Sequence, residues 1–408
     1  MAEELRNQNI ACNNIINDFV DEESKAHTDL RILFHTIHRK TLRSLVLGQL
    51  PHDLHDRYSS NWNNVYDKEG PGTYLIGISI EDRQGAFLNW KEIKKVTGHL
   101  EEYRAGCEAW TQGQLGESYG QSQITSAQKS AIQKACLIDN EMELDDDKKW
   151  EPGSRLVAPK CMGGKGGVSN INHLIEMLGR RVNESFDEDT YQISSPVYTG
   201  CGRRMPKRLL GHDPDYSNLK SSSHVLRLLQ SCIRYMGLKP LIHSIPIIEV
   251  WEQRLIGLSE VLVTVLAQSL ITIDGLNVIK PGTVPGAGDT NVDFYKEAKK
   301  AVWVMRPWFR ENLQESLSYL QGRDILQGCF ETMKAQYKSV GELRKSIDDT
   351  KVEQGKIEEL KTNFSEAEED VDKRLQDARE HLGQLNSFLD KSSGMFPDLS
   401  EDEEGDSE

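Results

Sequence analysis

Apolar residues return every three or four positions along most of this chain, the spacing that gathers them on one face of a helix. In the first 50 residues Leu30, Leu33, Phe34, Ile37, Thr41, Leu42 and Leu45 form such a face, and Gly-Gln-Leu-Pro at 48–51 ends it. One stretch follows a different rule. Residues 73–80, TYLIGISI, are short and β-branched, and with EDRQG at 81–85 and AFLNW at 86–90 they predict a β-hairpin near 73–90. Helical spacing resumes over 89–110. A loop rich in Gly, Gln and Ser follows at 111–123, and a helix over 126–138 runs into the acidic segment 139–154, which closes an N-terminal lobe at 1–154.

Residues 155–223 form a Gly- and base-rich connecting region holding one helix near 172–182. A C-terminal lobe at 224–340 then carries helices over 223–236, 249–273, 292–304 and 307–322, separated by Pro-containing connections. From 341 to 391 the pattern tightens. Leu343, Ile347, Ile357, Leu360, Phe364, Ala367, Val371, Leu375, Ala378, Leu382, Leu385 and Leu389 keep a three-four spacing with charges between them, which predicts a coiled-coil-like helix with one phase shift near Val371–Ala378. Residues 392–408 carry seven acids and no base and read as a disordered acidic tail, with Met395, Phe396 and Leu399 as a short docking motif. The expected fold class is mainly α: two helical lobes with one small β-hairpin, a C-terminal long helix and a disordered acidic tail.

Composition changes this picture in three places. The run LIGLSEVLVTVLAQSLITI at 255–273 approaches the length of a membrane span, but Glu260, Gln268, Ser259 and Ser269 interrupt it and no basic cluster flanks it, so a buried helix is expected and no membrane. Seven cysteines, an odd number without a CxxC pair, fit free thiols in a reducing setting, and the first residues lack the basic flank and apolar core of a secretory signal. A cytoplasmic protein is expected. Third, the formal charge of −15 hides a basic zone: residues 155–239 hold 13 Lys and Arg against 7 Asp and Glu, the pattern of a localised anion site.

Catalytic signatures are partial. CMGGKGGVSNIN at 161–172 resembles the opening of the deviant phosphate loop of the MinD and ParA type ATPases through Lys165, Gly166, Gly167 and Val168. The Gly-Lys-Ser/Thr that should follow is replaced by Ser169, Asn170 and Ile171. Gly163, Gly164 and Lys165 also resemble the Gly-Gly processing site of the silencing-defective splicing family, which needs a ubiquitin-like fold before it. GAGDTNVDF at 286–294 resembles the anion hole of ribokinase-type sugar kinases, where Asp289 would be the base, although Pro285 breaks the pattern. Two HxxH pairs, His35 with His38 and His52 with His55, have zinc-ligand spacing on a helix without a third ligand at a known spacing. No acid, base and nucleophile set emerges, and neither an enzyme nor a cofactor is expected.

The basic zone holds more chemistry. Lys165, Arg180, Arg181, Arg203, Arg204, Lys207, Arg208, Arg227 and Arg234 are candidate phosphate contacts, with Tyr191, Tyr198, Tyr216 and Tyr235 interleaved as stacking partners. Helical halves around a basic centre, followed by a pairing helix and an acidic tail, resemble at the level of architecture the nucleoproteins of negative-strand RNA viruses. That resemblance implies a non-enzymatic protein that encapsidates single-stranded RNA through its phosphates and self-assembles into a homo-oligomer. It further implies a protein partner at the acidic tail and, in a viral setting, a place in the host cytoplasm or nucleus and in the virion. The alternative is a cytosolic adaptor or scaffold acting through its C-terminal coiled coil and tail; a P-loop-like NTPase or sugar kinase is the third reading.

Overall fold

The computed structural model describes residues 25–67, 70–118, 124–161, 167–212, 223–282, 292–350 and 354–393. The fold is mainly α. In chain order the elements are α1 (Lys25–His35), α2 (Arg39–Val46), the single turn α3 (Leu50–Asp53), β1 (Gly72–Ile80), α4 (Trp90–Ser118), α5 (Ser126–Asn140) and α6 (Gly167–Arg180). They continue with β2 (Tyr198–Gly202), α7 (Met205–Leu210), α8 (His224–Tyr235), β3 (Pro240–Glu249), α9 (Leu255–Leu266), α10 (Val292–Lys300), α11 (Trp308–Thr350) and α12 (Gln354–Ser393). The chain divides into two compact units, Met1–Phe309 and Arg310–Glu408.

The first unit is built around a three-stranded antiparallel sheet in the order β2-β1-β3. All nine residues of β1 are buried, because both faces of this central strand are covered by helices. Side chains alternate across a strand, so Tyr74, Ile76, Ile78 and Ile80 point one way, into a core with Ile93, Val96, Leu100 and Tyr103 of α4, Ile171 and Leu174 of α6, and Leu228 and Cys232 of α8. Leu75 points the other way, into a second core with Leu30 and Leu33 of α1, Ile245 and Ile247 of β3, and Leu255, Val261 and Leu262 of α9. Each such aliphatic side chain contributes about 1.5–3 kcal/mol when fully buried. Gly106 lets α4 and α5 approach closely: a Cβ there would lie 2.7 Å from the Ala131 carbonyl oxygen and from the Ala135 methyl.

The strand prediction needs correction in its partner. AFLNW does not pair with TYLIGISI. Instead Ile80 N–H donates to the Ala86 carbonyl across a turn in which Asp82, Gln84 and Gly85 hold φ of 65°, 48° and 83°, and the chain leaves into α4. The true partners are β2, with Leu75 opposite Thr199, and β3, with Ile78 opposite Ile242. β3 carries Pro246 at an edge, where the missing N–H is tolerated and the register shifts near Thr73 and Tyr74. β2 is made small for its neighbour: a Cβ at Gly200 would lie 2.6 Å from the Tyr74 hydroxyl. Its outer edge is closed by Asn277, whose side-chain amide accepts from Thr199 N–H at 2.7 Å and donates to the Thr199 carbonyl at 2.6 Å, as a strand partner would.

Other boundaries also move. The loop expected at 111–123 is helical as far as Ser118, and the helix expected over 249–273 is the end of β3 followed by the shorter α9. Among the described residues no helix is long and apolar enough to cross a membrane. α5 begins one residue after Thr125, which forms a capping box with Gln128.

The second unit consists of α11 from Arg310 onward and α12. Residues Ile325, Cys329 and Thr332 line a groove together with Val371, Arg374 and Ala378, and Tyr337 and Val340 line another with Phe364 and Ala367. Ascending positions on α11 meet descending positions on α12, so the two form an antiparallel helical hairpin. The expected coiled-coil pairing of Ala367, Val371, Leu375, Ala378 and Leu382 is thus made within the chain, by half-buried residues of α12. The helix expected to stop at 322 runs on to Thr350, and the break between units falls at Phe309 rather than near residue 340.

Candidate functional site

The basic residues expected to share a phosphate site divide by what holds them. Arg181 closes α6 with its side chain only 7 % exposed: Nε and Nη2 donate to the two carboxylate oxygens of Asp274 at 2.7 and 2.6 Å, and Nη1 donates to the Ser194 carbonyl at 3.1 Å. Arg180 beside it donates to the carbonyls of Thr272 and Ile273. Together they pin the chain that follows α9 to the end of α6. Arg227 is 8 % exposed on α8, on the side of Asp139, and Arg234 on the same helix donates to the Glu141 carbonyl at 3.3 Å. Arg180, Arg181 and Arg234 hold seams of the fold, while Arg227 is buried with its Nε unpaired among the described residues.

Arg203, Arg204 and Arg208 belong to the corner between β2 and α7, and Lys207 lies in the same helical turn. Arg204 lies 4.8 Å over the ring of Phe294 on α10, and Arg203 acts electrostatically on Tyr295 of the same helix. Arg208 hydrogen-bonds Tyr74 and faces Tyr198, Cys201 and Glu260. His212 is 2 % exposed with Nε2 3.0 Å from the Tyr74 hydroxyl; burial, and then the charge of Arg208, push it down to about 4, so it is neutral near pH 7. Burial raises Glu260, whose carboxylate accepts the Gly282 N–H at 2.8 Å. Lys165 lies outside the described residues.

The other motifs are equally specific in their placement. Residues 155–160, ahead of the glycine-rich segment, form no strand, and 162–166 lie outside the described residues, as does Asp289 of the GAGD motif. Cys161 is fully buried and its N–H donates to the Tyr103 hydroxyl at 2.8 Å; Tyr103 in turn donates to Asp139 at 2.9 Å, and Asp139 accepts the Lys160 N–H at 2.6 Å. This network anchors the approach to α6 on α4 and α5. His38 caps α2 by accepting the Lys40 N–H and stacks edge-on to Trp308, while His35 packs against Phe309. His52 and His55 have ring centroids 6.0 Å apart, and no group of three or more His, Cys, Asp and Glu among the described residues is placed to hold a metal ion.

The feature that sequence reasoning missed lies in the second unit. The α11 residues half-buried against α12 are Ile325, Cys329, Thr332, Gln336 and Val340. About a quarter-turn away, on the surface, runs a second apolar stripe: Tyr319 71 % exposed, Leu326 57 %, Phe330 67 %, Met333 41 % and Tyr337 70 %. The spacing from Leu326 to Tyr337 is four, three, four, the signature of a helix seam. It was legible in principle, but the helix read over 307–322 was ended at Gly322, which hid it. Comparison of the chain with protein-family models, with curated proteins and with solved structures gave no match.

Proposed function

We propose that this protein is a non-enzymatic assembly scaffold: a globular helical unit that carries a helical hairpin, which docks a further helix along the exposed face of α11. The observation that carries the reading is the stripe from Tyr319 to Tyr337. Five large apolar side chains in line, each more than 40 % exposed, make a patch that a monomeric protein rarely leaves in water. The six described cysteines are all free thiols, which supports a reducing, cytoplasmic setting. The acidic tail, in this reading, adds a second contact for a protein partner.

The test is positional. A photo-crosslinking phenylalanine analogue placed at 330 or 337 of the full chain, irradiated in extracts of the cells that make it, is expected to yield products of higher mass, whereas position 335 on the far side of the helix yields none. Equal yields from all three positions, or none, refute the reading.

A second reading rests on Arg203, Arg204 and Arg208 at the corner of β2 and α7. Three guanidinium groups within one short segment support binding of phosphate backbones, as the resemblance to viral nucleoproteins implies. Encapsidation of single-stranded RNA would then depend on this corner, because Arg181 and Arg234 donate to groups inside the fold and Arg227 is only 8 % exposed.

A further inference from the structure

We infer that the occupant of the α11 stripe is a second copy of the same chain, lying antiparallel across a two-fold axis between Phe330 and Met333. This rests on the scaffold reading and names its partner.

Three observations lead to a second copy. First, the stripe has the spacing of a two-stranded helix seam and therefore fits another helix carrying the same spacing. In heptad terms Phe330 and Tyr337 occupy one core position, Leu326 and Met333 the other, and α11 itself presents that pattern largely in water, with Met333 and Tyr337 also bordering the groove shared with α12.

Second, the pattern is complementary to itself when reversed. In an antiparallel seam Phe330 meets Met333 of the second copy and Tyr337 meets its Leu326, each twice by symmetry. An aromatic ring then faces a thioether or an isobutyl group, both of which pack well against it. Arg323, which continues the first core position, lies at the end of the seam, where its stem covers apolar surface and its head reaches water. A parallel pairing would set Arg323 against Arg323 in the seam and align two helix dipoles. The charge pattern therefore selects the antiparallel arrangement.

Third, the area is sufficient. The exposed parts of the five side chains amount to roughly 600 Å² if a large side chain offers about 200 Å². Two copies bury up to about 1,200 Å² from these side chains, at the lower bound of stable specific interfaces, and the flanking Leu320, Gln327 and Lys334 add to it. Leu320 is itself 43 % exposed next to the stripe.

Light scattering on the purified full chain measures the prediction directly. The wild-type protein is expected at twice the chain mass of 46.3 kDa. Leu326→Glu with Phe330→Glu is expected at the chain mass with an unchanged helical circular-dichroism signal, since both residues are surface-exposed and neither lines the grooves shared with α12. Ala335→Glu, on the far side of α11, should remain dimeric. Orientation is read in a Cys329→Ser background: a mixture of Gln327→Cys and Lys334→Cys chains is expected to form a disulfide-linked dimer under mild oxidation, and neither variant alone. A dimer that survives the double glutamate substitution overturns the inference, as does cross-linking of each cysteine variant with itself. A wild-type monomer overturns it too. If that monomer still cross-links another protein from position 330, the scaffold reading stands and only the second copy is refuted; if it cross-links nothing, both fall.

Discussion

Asp139 sits 3 % exposed on α5, where its two carboxylate oxygens accept from the Tyr103 hydroxyl and the Lys160 N–H, with Arg227 nearby. Burial dominates these favourable contacts and raises its pKa from 3.8 to about 6. An acid raised in the native state holds its proton more tightly there than in the unfolded chain. Its stabilisation is thus complete below about pH 4 and is lost as pH rises through about 6. The whole shift corresponds to about 3 kcal/mol, and the part that falls between pH 5 and 7.5 to about 1.4 kcal/mol. Asp139→Asn removes the titration while keeping the shape.

The expected outcome is a change in the gap between the two proteins. Relative to Asp139→Asn, the wild type should lose about 1.4 kcal/mol of unfolding free energy on going from pH 5 to 7.5. Urea titration followed by tryptophan fluorescence is suited to this, because all seven tryptophans lie at or before position 308 and report on the first unit alone. Glu249, raised by burial to about 7, contributes a slope of the same sign in both proteins and cancels in the comparison. Parallel pH profiles for the two proteins would refute the claim that this carboxyl is ionised at a cost.

Arg181→Lys should lower the stability of the first unit by about 3 kcal/mol, measured by the same titration, because one ammonium cannot replace a bidentate pair with Asp274 and a bond to Ser194; a loss under about 1 kcal/mol would show the guanidinium is dispensable. Arg203→Ala with Arg204→Ala should weaken binding of a labelled single-stranded oligoribonucleotide and flatten its salt dependence in fluorescence anisotropy, and a wild type that does not bind, or a variant that binds equally, removes the RNA reading.

Much of the helical framework was readable from local pattern. The three-four spacing marks α5, α8 and α10 close to their observed bounds, whereas the single helix read over the first 50 residues is divided into α1, α2 and α3 in the described part, and the Thr125 and Gln128 pair sets the start of α5 through contacts within four residues. The strand β1 was also legible, since β-branched residues in a short run need no distant information. Its partners were not. β2 is a Thr-Gly-Cys-Gly segment with no alternation of its own, shaped by Tyr74, and β3 carries two prolines that argue against a strand until an edge position excuses them.

The candidate sites divide the same way. Sequence by itself determined that this is a mainly helical chain with a basic middle and an amphipathic C-terminal region, because helix propensity, periodicity and net charge are properties of neighbours along the chain. Only the tertiary structure decided what each charge is for. Arg181 and Arg204 read alike in sequence, yet one is consumed by Asp274, 93 residues away, and the other leans on the ring of Phe294. It likewise decided which apolar stripe is satisfied within the chain and which stays exposed. α12 covers one face of α11 and leaves the face of Tyr319, Leu326 and Phe330 in water, a choice set by packing between segments that no local pattern records.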